Sequence, residues 1–375
     1  MAGIYLHIPF CKQACHYCDF HFSTSLKYKD EMLSALHNEL LLRKEYLQQQ
    51  PIESIYFGGG TPSFLPAQEI NQILDTIYKH FEVSPSVEIT LEANPDDLTK
   101  EKVRELSSSQ INRFSIGVQS FFEEDLRWMN RAHNAQEAES SIKRAQDSGF
   151  ENITADLIYG FPLLSDAKWR SNIQQMVDLQ IPHISAYSMT IEPQTALASF
   201  IRKGIQTPMN EGQSADQFLM LMNMITENGF EQYEISNYAR NNHYSKHNTN
   251  YWKGVPYLGI GPSAHSFNGL SRQWNIANNS KYISSLVSNE IPAESETLTE
   301  ADKFNEYIMT SLRTKWGMDI DYLKGKFPSE FFEEMDSSLQ RIVSEGKIKQ
   351  EGASFTLTTE GKLLADQIAS ELFIA

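Results

Sequence analysis

Cysteine is scarce in this chain: three occur in 375 residues, and all three lie between positions 11 and 18. An odd number of closely spaced cysteines does not form a disulfide framework, and such usage is typical of a reducing compartment. There is no run of about 18 apolar residues, and the first residues lack the basic region and cleavage site of a signal peptide. We therefore expect a cytoplasmic protein with no transmembrane segment, whose cysteines bind a metal.

Positive charge is also in short supply. Lys and Arg total 32 against 48 Asp and Glu, which gives a formal net charge of −16. A field of this sign repels polyanions such as duplex nucleic acid and anionic lipid. Hydrophobic residues make up 41% and charged residues 21%, values typical of ordinary globular proteins. We expect no nucleic-acid partner, and one large domain accompanied by a small one.

Apolar runs of strand length alternate with segments of helical periodicity over the first two thirds of the chain. The predicted strands cover residues 4–8, 54–57, 87–91, 114–118, 153–158 and 184–189. The predicted helices cover residues 29–47, 67–81, 100–106, 134–148, 168–179 and 213–228. This alternation is typical of a parallel sheet covered by helices, and six units are fewer than the eight of a closed barrel. The sequence predicts an α/β fold, an incomplete (β/α)6 TIM-type barrel with its active face at the carboxyl ends of the strands.

The pattern changes near Thr299, which is predicted to cap a helix. The predicted elements that follow are helices over 301–314, 320–326 and 331–344, a hairpin over 348–357 and a final helix over 359–372. Together they resemble a winged-helix module. We therefore predict a barrel over 1–235, a connecting region over 236–298 and a winged-helix-like α+β domain over 299–375. Since the module is not strongly basic, a packing or substrate-covering role is favoured over DNA binding.

The cysteines follow the first predicted strand with the spacing C-x3-C-x2-C, at Cys11, Cys15 and Cys18. Three thiolates on a short loop can ligate three irons of a [4Fe–4S] cluster, which leaves the fourth iron open to a small chelating molecule. The alternative is structural zinc, which needs four ligands. The histidines that could complete a zinc site are His7, His16 and His21.

This spacing, with the aromatic Tyr17 before the third cysteine, resembles the radical S-adenosylmethionine (SAM) superfamily. The resemblance implies that the amino and carboxylate groups of SAM chelate the open iron. It also implies that one electron from the cluster cleaves the sulfonium to a 5′-deoxyadenosyl radical, with flavodoxin or ferredoxin as electron donor. The protein itself orients the cosubstrate and excludes water from the site.

Motifs at later strand ends are similar to the oxygen-independent coproporphyrinogen oxidase family. Glycines over 58–60 allow a ligand to approach the backbone without a Cβ in the way, and the segments 92–95, 116–120 and 156–160 match that family's cosubstrate-binding segments. Arg131 can pair with a carboxylate. The residues thereby predicted to bind SAM are Tyr5, Tyr17, Gly59, Gly60, Thr61, Glu92, Gln119, Arg131 and Asp156.

Within that family the chain resembles the HemW branch of haem chaperones. The oxidases carry an extension before their cysteine motif, whereas Cys11 comes almost at once here. The oxidases also carry a fourth cysteine two residues after the third, and Phe20 occupies that position here. The segment 247–252, HNTNYW, matches the HNxxYW motif of the HemW branch.

The HNxxYW segment has chemistry that suits haem. A neutral imidazole is a normal axial ligand for haem iron, and flat apolar rings can pack against a porphyrin. His247 is the predicted ligand and Tyr251 and Trp252 the predicted packing residues, with His243 and His265 as alternative ligands. The resemblance implies that haem is a cargo for an unidentified acceptor protein. The alternatives are oxidative decarboxylation of coproporphyrinogen III, and a radical reaction on another small substrate.

Overall fold

The structure is a computed structural model that describes residues 1–374. Six parallel strands, β1 to β6, span Ala2–Ile8, Ile52–Gly59, Val83–Ala93, Arg113–Gln119, Ile153–Tyr159 and His183–Ser188. The helices α1 to α8 span Lys29–Leu42, Ala67–His80, Lys100–Ser107, Glu123–Trp128, Ala135–Asp147, Asp166–Asp178, Ala196–Arg202 and Glu211–Glu227. The predicted α/β fold with an open parallel sheet is therefore confirmed.

The strands consist of residues that suit a sheet covered on both faces. In β1 every second residue from Ala2 to Ile8 is fully buried, whereas Tyr5 keeps part of its surface accessible. Because successive side chains point to opposite faces of a sheet, Tyr5 and its alternate neighbours face the barrel interior. The helices cover the outer face. In α2, for example, Ile70, Ile73 and Ile77 recur at helical spacing and are buried.

Six further strands extend the sheet at both edges. The strands β7 to β12 span Glu231–Glu234, Asn237–Ala239, Tyr257–Ile260, His265–Phe267, Ser271–Asn275 and Ala293–Thr297. The strand order is β12-β11-β10-β9-β1-β2-β3-β4-β5-β6-β8-β7. β9 pairs parallel to β1, and the other additions pair antiparallel. Two helices, α9 (Lys246–Trp252) and α10 (Asn279–Val287), lie between these strands in the chain.

A fully buried carboxylate joins α1 to this extension. Oε1 of Glu39 accepts hydrogen bonds from Arg43 at 3.2 Å and from the amide of Asn275 at 2.7 Å. Oε2 of Glu39 accepts from the Tyr282 hydroxyl at 2.6 Å and from the Gly261 backbone at 2.8 Å. Four donors therefore offset the cost of taking this charge out of water.

We expect Glu39→Ala to lower the free energy of unfolding by about 3–5 kcal/mol, because removing one member of a buried ion pair leaves the other charge uncompensated. Chemical denaturation followed by circular dichroism measures the change. Glu45→Ala is the matched control, since Glu45 is exposed shortly after the same helix, and it should change stability by no more than about 0.5 kcal/mol. Equal effects of the two substitutions would contradict a stabilising role for Glu39.

The C-terminal part of the chain has its own hydrophobic core. Its elements α11, β13, α12, α13, β14, β15, α14 and α15 span Glu300–Leu312, Met318–Asp319, Ile320–Lys326, Ser329–Ser344, Ile348–Glu351, Ser354–Leu357, Thr359–Lys362 and Ala365–Glu371. The helices α11, α12 and α13, a three-stranded sheet in the order β13-β15-β14 and the closing helices α14 and α15 confirm the winged-helix-like fold. Thr299 caps α11 as predicted, in a capping box with Asp302.

One predicted element of this domain differs in the structure. The single helix expected over 359–372 is two helices, α14 and α15. A Cβ on Gly361 would collide with the backbone of Lys347, so the first turn is fixed against the hairpin. The helical conformation is then interrupted at Leu364, where φ is −119°.

The C-terminal domain contacts the barrel beside α9. The amide of Lys315 donates a hydrogen bond to the carbonyl of Tyr233 in β7 at 3.0 Å. The guanidinium of Arg313 lies 5.2 Å from the ring centroid of Trp252. The domain therefore packs against the helix that carries the HNTNYW segment. Within residues 1–374, no helix has both the length and the apolar composition that a membrane span requires.

Candidate functional site

The three cysteines lie on the loop that follows β1, at the carboxyl end of the parallel strands. The glycine turn after β2 holds this loop, because the Thr61 amide donates to the carbonyl of Phe10 at 2.7 Å. All three cysteines are free thiols with part of their surface accessible. Cys18 lies within electrostatic range of both Cys11 and Cys15. The fold thus gathers the three thiols at one end of the barrel.

Two hydrogen-bond donors point at the sulfur atoms. The Thr61 hydroxyl lies 3.5 Å from Sγ of Cys11, and Nη1 of Arg131 lies 3.4 Å from Sγ of Cys15. Burial raises the pKa of Cys11, and it raises the pKa of Cys18 to about 12. Thiolates therefore form here when a metal centre supplies positive charge, and the two donors then stabilise them. This donor set fits a thiolate-bound iron–sulfur cluster.

The histidines near the loop have other partners. Nε2 of His7 lies 2.7 Å from the carbonyl oxygen of His21, and Nδ1 of His16 lies 2.9 Å from that of Trp128. Nε2 of His21 lies 2.7 Å from Oδ1 of Asn279. Among residues 1–374, no group of three or more His, Cys, Asp or Glu could hold a single metal ion.

The glycine turn packs closely against the cysteine loop. Gly59 has a φ of +103°, a conformation that side chains with a Cβ rarely adopt. A Cβ on Gly60 would lie 2.7 Å from the carbonyl oxygen of Phe10, so this approach excludes any larger residue. The Gly60 amide donates to the carbonyl of Ile8 at 2.9 Å. These glycines, expected from the sequence to let a ligand approach the backbone, also let the cysteine loop approach it.

Two carboxylates lie within electrostatic range of each other inside the barrel, Glu92 in β3 and Asp156 in β5. Glu92 accepts a hydrogen bond from the Tyr56 hydroxyl at 2.8 Å, and Asp156 accepts one from Ser115 at 3.3 Å. The pKa of each carboxyl is raised to about 7, mainly by burial, and the Asp156 charge contributes to the rise at Glu92. Both side chains remain partly accessible. A cationic ligand beside them would favour their ionised forms.

Arg131 is bound by neighbours through both terminal nitrogens. Nη2 donates to Oδ1 of Asn94 at 2.6 Å and to the carbonyl of Gly117 at 2.8 Å. Nη1 lies 3.4 Å from the Tyr17 hydroxyl. The buried Nε has no hydrogen-bond partner in the part of the chain that the structure describes. Arg131 is partly accessible, so its permanently charged guanidinium suits the carboxylate of a small ligand such as SAM.

Gln119 ends β4 in an unusual backbone conformation, with a φ of +66°. Such conformations are costly in residues other than glycine and persist where the surrounding structure enforces them. A Cβ on Gly117 would lie 2.9 Å from Nε2 of Gln119 and 3.1 Å from Nη2 of Arg131. Gln119 therefore lies beside Arg131. The residues predicted to bind SAM thus lie in β1 to β5 or in the loops that follow them, on the side of the cysteine loop.

His247 lies at the opposite end of the barrel, beside the first residues of β1 and β2. Its Nδ1 is 3.0 Å from the Ser54 hydroxyl, and its backbone amide donates to Glu88 at 3.2 Å. Burial lowers the pKa of His247 to about 4, and the charge of Arg113 adds to this effect. The imidazole is therefore neutral, the form that ligates haem iron.

The space beside His247 is too small for a porphyrin. The cavity lined by His247 and Tyr251 has a volume of about 10 Å³, which is at the limit for one water molecule. None of the seven residues of α9, all within the described range, is buried. Four of its residues also have buried side-chain atoms without a partner in the described chain: Asn248, Thr249, Asn250 and Trp252.

Two tyrosines link the two ends of the barrel. The His247 ring centroid lies 5.0 Å from that of Tyr56 and 6.2 Å from that of Tyr5, nearly parallel to both. The Tyr5 hydroxyl lies 3.4 Å from Nδ1 of His7, while Tyr56 bonds to Glu92. Sequence reasoning missed Tyr56, although strand alternation places it on the interior face.

The aromatic residues of the HNTNYW segment lie farther out. Tyr251 is 45% exposed, and its ring centroid lies 5.2 Å from that of Trp252 and 5.9 Å from that of Tyr257. His243 lies in the loop before α9, and His265 is exposed on β10. A porphyrin can therefore reach Tyr251 and His265 directly, whereas it reaches His247 only if α9 moves.

Two family models match the chain. The model of the Radical SAM superfamily matches residues 5–176, and the model of the HemN C-terminal domain matches residues 298–364. The first match contains the cysteine loop and β2 to β5. The second lies within the winged-helix-like part.

Curated proteins and one solved structure are similar over nearly the full length. The chain is 32% identical to a protein named Heme chaperone HemW from Bacillus subtilis, over 98% of each chain. It is 31% identical to a protein of the same name from Mycobacterium tuberculosis, over 99% of this chain and 94% of that one. The structure of coproporphyrinogen III oxidase (HemN) from Escherichia coli matches with a TM-score of 0.87 at 22% identity, covering 99% of this chain and 90% of that one. At that identity the match shows the fold.

Proposed function

The chain belongs to the HemW family of radical SAM proteins, and from this premise we propose that it is a haem chaperone that carries a [4Fe–4S] cluster and SAM. One observation carries the proposal. A cradle of three thiols and the HNTNYW segment occur in one chain that is similar over its full length to proteins named Heme chaperone HemW. Haem is then a cargo that the protein binds and passes to an acceptor protein.

The cysteine loop is the proposed cluster site. Cys11, Cys15 and Cys18 would each ligate one iron, and the fourth iron would be left to SAM. The Thr61 hydroxyl and the Arg131 guanidinium would donate hydrogen bonds to the ligating sulfurs. When bound, the cluster and SAM supply one-electron reductive cleavage of the sulfonium.

The residues around the barrel mouth are the proposed SAM site. The guanidinium of Arg131, a partly accessible residue, would bind the carboxylate of the methionine part. Glu92 and Asp156 would accept hydrogen bonds from the amino group or from ribose hydroxyls, as both have accessible surface. The remaining proposed contacts are Tyr5, Tyr17, Gly59, Gly60, Thr61 and Gln119.

We expect Arg131→Ala and Asp156→Ala each to weaken SAM binding by roughly ten- to a hundredfold. The loss of one hydrogen bond to a charged group costs about 1.5–3 kcal/mol. Equilibrium binding to the reconstituted, unreduced protein measures the affinity. Arg127→Ala is the matched control, because the Arg127 side chain is 78% exposed on α4. Unchanged affinity in both site variants would place the SAM site elsewhere.

Haem binding is proposed at the HNTNYW segment. The neutral imidazole of His247 would ligate the iron, and Tyr251 and Trp252 would pack against the porphyrin. Since the cavity beside His247 holds about 10 Å³, the haem-bound form requires α9 to move away from the barrel. Such a movement would break the contacts of His247 with Ser54 and Glu88.

The oxidase is the second candidate function, and it is less well supported. The structural match to the Escherichia coli enzyme extends over nearly the whole chain, but a match at 22% identity shows the fold and not the substrate. Phe20, which occupies the position of the oxidases' fourth cysteine, is 71% exposed. The similar full-length sequences carry the name of the chaperone.

The proposed function is tested on one anaerobically reconstituted preparation. With reductant and SAM it should release 5′-deoxyadenosine, and in a separate titration it should bind haem and yield it to added apomyoglobin. As the control, free haem is removed by gel filtration before apomyoglobin is added. A preparation with full iron and sulfide content that binds no haem would contradict the chaperone function.

A further inference from the structure

One side chain that is not among the individually predicted SAM-binding residues, although it lies in the segment 92–95, connects the donors that face two of the thiols. Asn94 follows β3 directly, and its Oδ1 accepts a hydrogen bond from Nη2 of Arg131 at 2.6 Å. Its Nδ2 donates to Oγ1 of Thr61 at 3.1 Å. Since Thr61 contacts Cys11 and Arg131 contacts Cys15, a hydrogen-bonded path runs from one sulfur to the other through Asn94.

The amide of Asn94 has only one orientation that satisfies these contacts. The Arg131 guanidinium has donors and no acceptor, so the atom beside it must be the amide oxygen. The amide nitrogen then faces Thr61, and the Thr61 oxygen must accept its hydrogen bond. The hydroxyl hydrogen of Thr61 is left for the remaining acceptor in reach, Sγ of Cys11 at 3.5 Å. Asn94 thereby fixes the direction of the hydrogen bond at this sulfur.

The backbone of Asn94 is also fixed. Its backbone N–H donates a hydrogen bond to the Ser63 hydroxyl at 3.3 Å. The Ser63 hydroxyl in turn donates to the buried carboxylate of Asp97 at 2.8 Å. Pro95 follows and restricts the conformation of Asn94 to the extended region, where φ is −86° and ψ is 145°. The side chain is therefore held in place before any ligand binds.

We propose that Asn94 is a positioning residue that holds the Thr61 hydroxyl on Cys11 and so raises the reduction potential of the cluster. Hydrogen bonds to the ligating sulfurs stabilise the more negative, reduced state. The inference rests on the proposed cluster at Cys11, Cys15 and Cys18, but it does not depend on SAM or on haem.

The test is Asn94→Asp, which keeps the shape of the side chain and the acceptor for Arg131. The new carboxylate has no donor for Thr61, so the Thr61 hydroxyl donates to it and leaves Cys11. In a redox titration followed by electron paramagnetic resonance, we expect the ratio of reduced to oxidised cluster at the wild-type midpoint to fall about tenfold, or about 59 mV for one electron. Thr61→Val, which removes the hydroxyl, should shift the potential in the same direction.

A double-mutant cycle separates the relay from the charge of the new carboxylate. If Asn94 acts through Thr61, the double variant Asn94→Asp, Thr61→Val should shift the potential by less than the sum of the two single shifts. Full additivity would mean that the carboxylate acts by its charge alone and would overturn the proposal. Asn94→Ser, which removes the amide without adding charge, is measured in parallel. An unchanged potential in this variant at full iron content would also overturn it.

Asn112→Asp is the matched control for the substitution. Asn112 hydrogen bonds to the backbone of β3 through both ends of its amide, at Ile89 and Val87. It lies just before β4, at the end of the strands away from the cysteine loop. This variant should lose stability and keep the wild-type potential. Iron and sulfide are determined first in every sample, so a wild-type protein without a cluster would refute the proposed function rather than the role of Asn94.

Discussion

Alanine at Cys11, Cys15 or Cys18 is expected to abolish the iron–sulfur cluster. Anaerobically reconstituted wild-type protein should hold about four irons and four sulfides, and each variant should hold close to none. Burial raises the pKa of Cys11 and of Cys18, so the thiolates there are stable only with the metal centre. Two remaining thiolates cannot compensate for the missing one. Iron and acid-labile sulfide, with the visible absorption spectrum, measure the loss.

The matched control is Phe20→Ala, in the same loop. Phe20 is 71% exposed, so its removal should leave the cluster intact. The alanine variants of Cys11, Cys15 and Cys18 should also lose all 5′-deoxyadenosine formation, because the cluster is the proposed source of the electron for SAM. A stoichiometric zinc content without labile sulfide in the wild-type protein would contradict the cluster and return the alternative of a structural metal site.

His247→Ala is expected to weaken haem binding by at least about a hundredfold. Mutation of a residue that only hydrogen bonds to a metal ligand lowers metal affinity by about 10- to 100-fold, and loss of the ligand itself should cost at least as much. The His247 imidazole is held by Ser54 at Nδ1, and burial lowers its pKa to about 4. It therefore needs no deprotonation to ligate iron at neutral pH. Haem titration followed at the Soret band measures the affinity.

The control for His247→Ala is His265→Ala, at an exposed histidine on β10. This variant should bind haem as the wild type does. If His247→Ala gives a shifted Soret band instead of a loss, the double variants with His243→Ala and with His265→Ala identify the substitute ligand. If substitutions at His247, Tyr251 and Trp252 all leave the haem affinity unchanged, the HNTNYW segment is not part of the haem site.

The sequence predicted the central fold well because its signal is periodic. The strands β1 to β6 contain apolar runs that are largely buried, and the helices between them show regular apolar spacing. The strands β7 to β12 were not predicted. Each has three to five residues, too few for alternation to stand out, and β12 is largely exposed.

The chemistry of the candidate site was predictable only where residues are close in sequence. The spacing of Cys11, Cys15 and Cys18 indicates a cluster without any structure. Tyr56 and the contacts of Asn94 were missed, although Asn94 lies in the predicted segment 92–95. The partners of Asn94 are distant in sequence, since it contacts Thr61 and Arg131 in other loops. No local pattern marks such a contact, although strand alternation placed Tyr56 on the interior face.

The position of His247 could not be predicted from the sequence either. A motif match says nothing about which end of the barrel a short helix covers. In the structure α9 returns the chain to the amino ends of β1 and β2, so His247 contacts Ser54 and Glu88 and lies away from the cysteine loop. The rings of Tyr5 and Tyr56 lie beside that of His247 inside the barrel.

The most direct test of the chaperone function compares two activities of one cluster-loaded wild-type preparation under strict anaerobiosis. The first is titration with haem, and the second is conversion of coproporphyrinogen III with SAM and a reductant. We predict stoichiometric haem binding with a Soret band that His247→Ala removes or shifts, and no conversion of coproporphyrinogen III to protoporphyrinogen IX. Turnover of coproporphyrinogen III without haem binding would contradict this account and identify the protein as an oxidase.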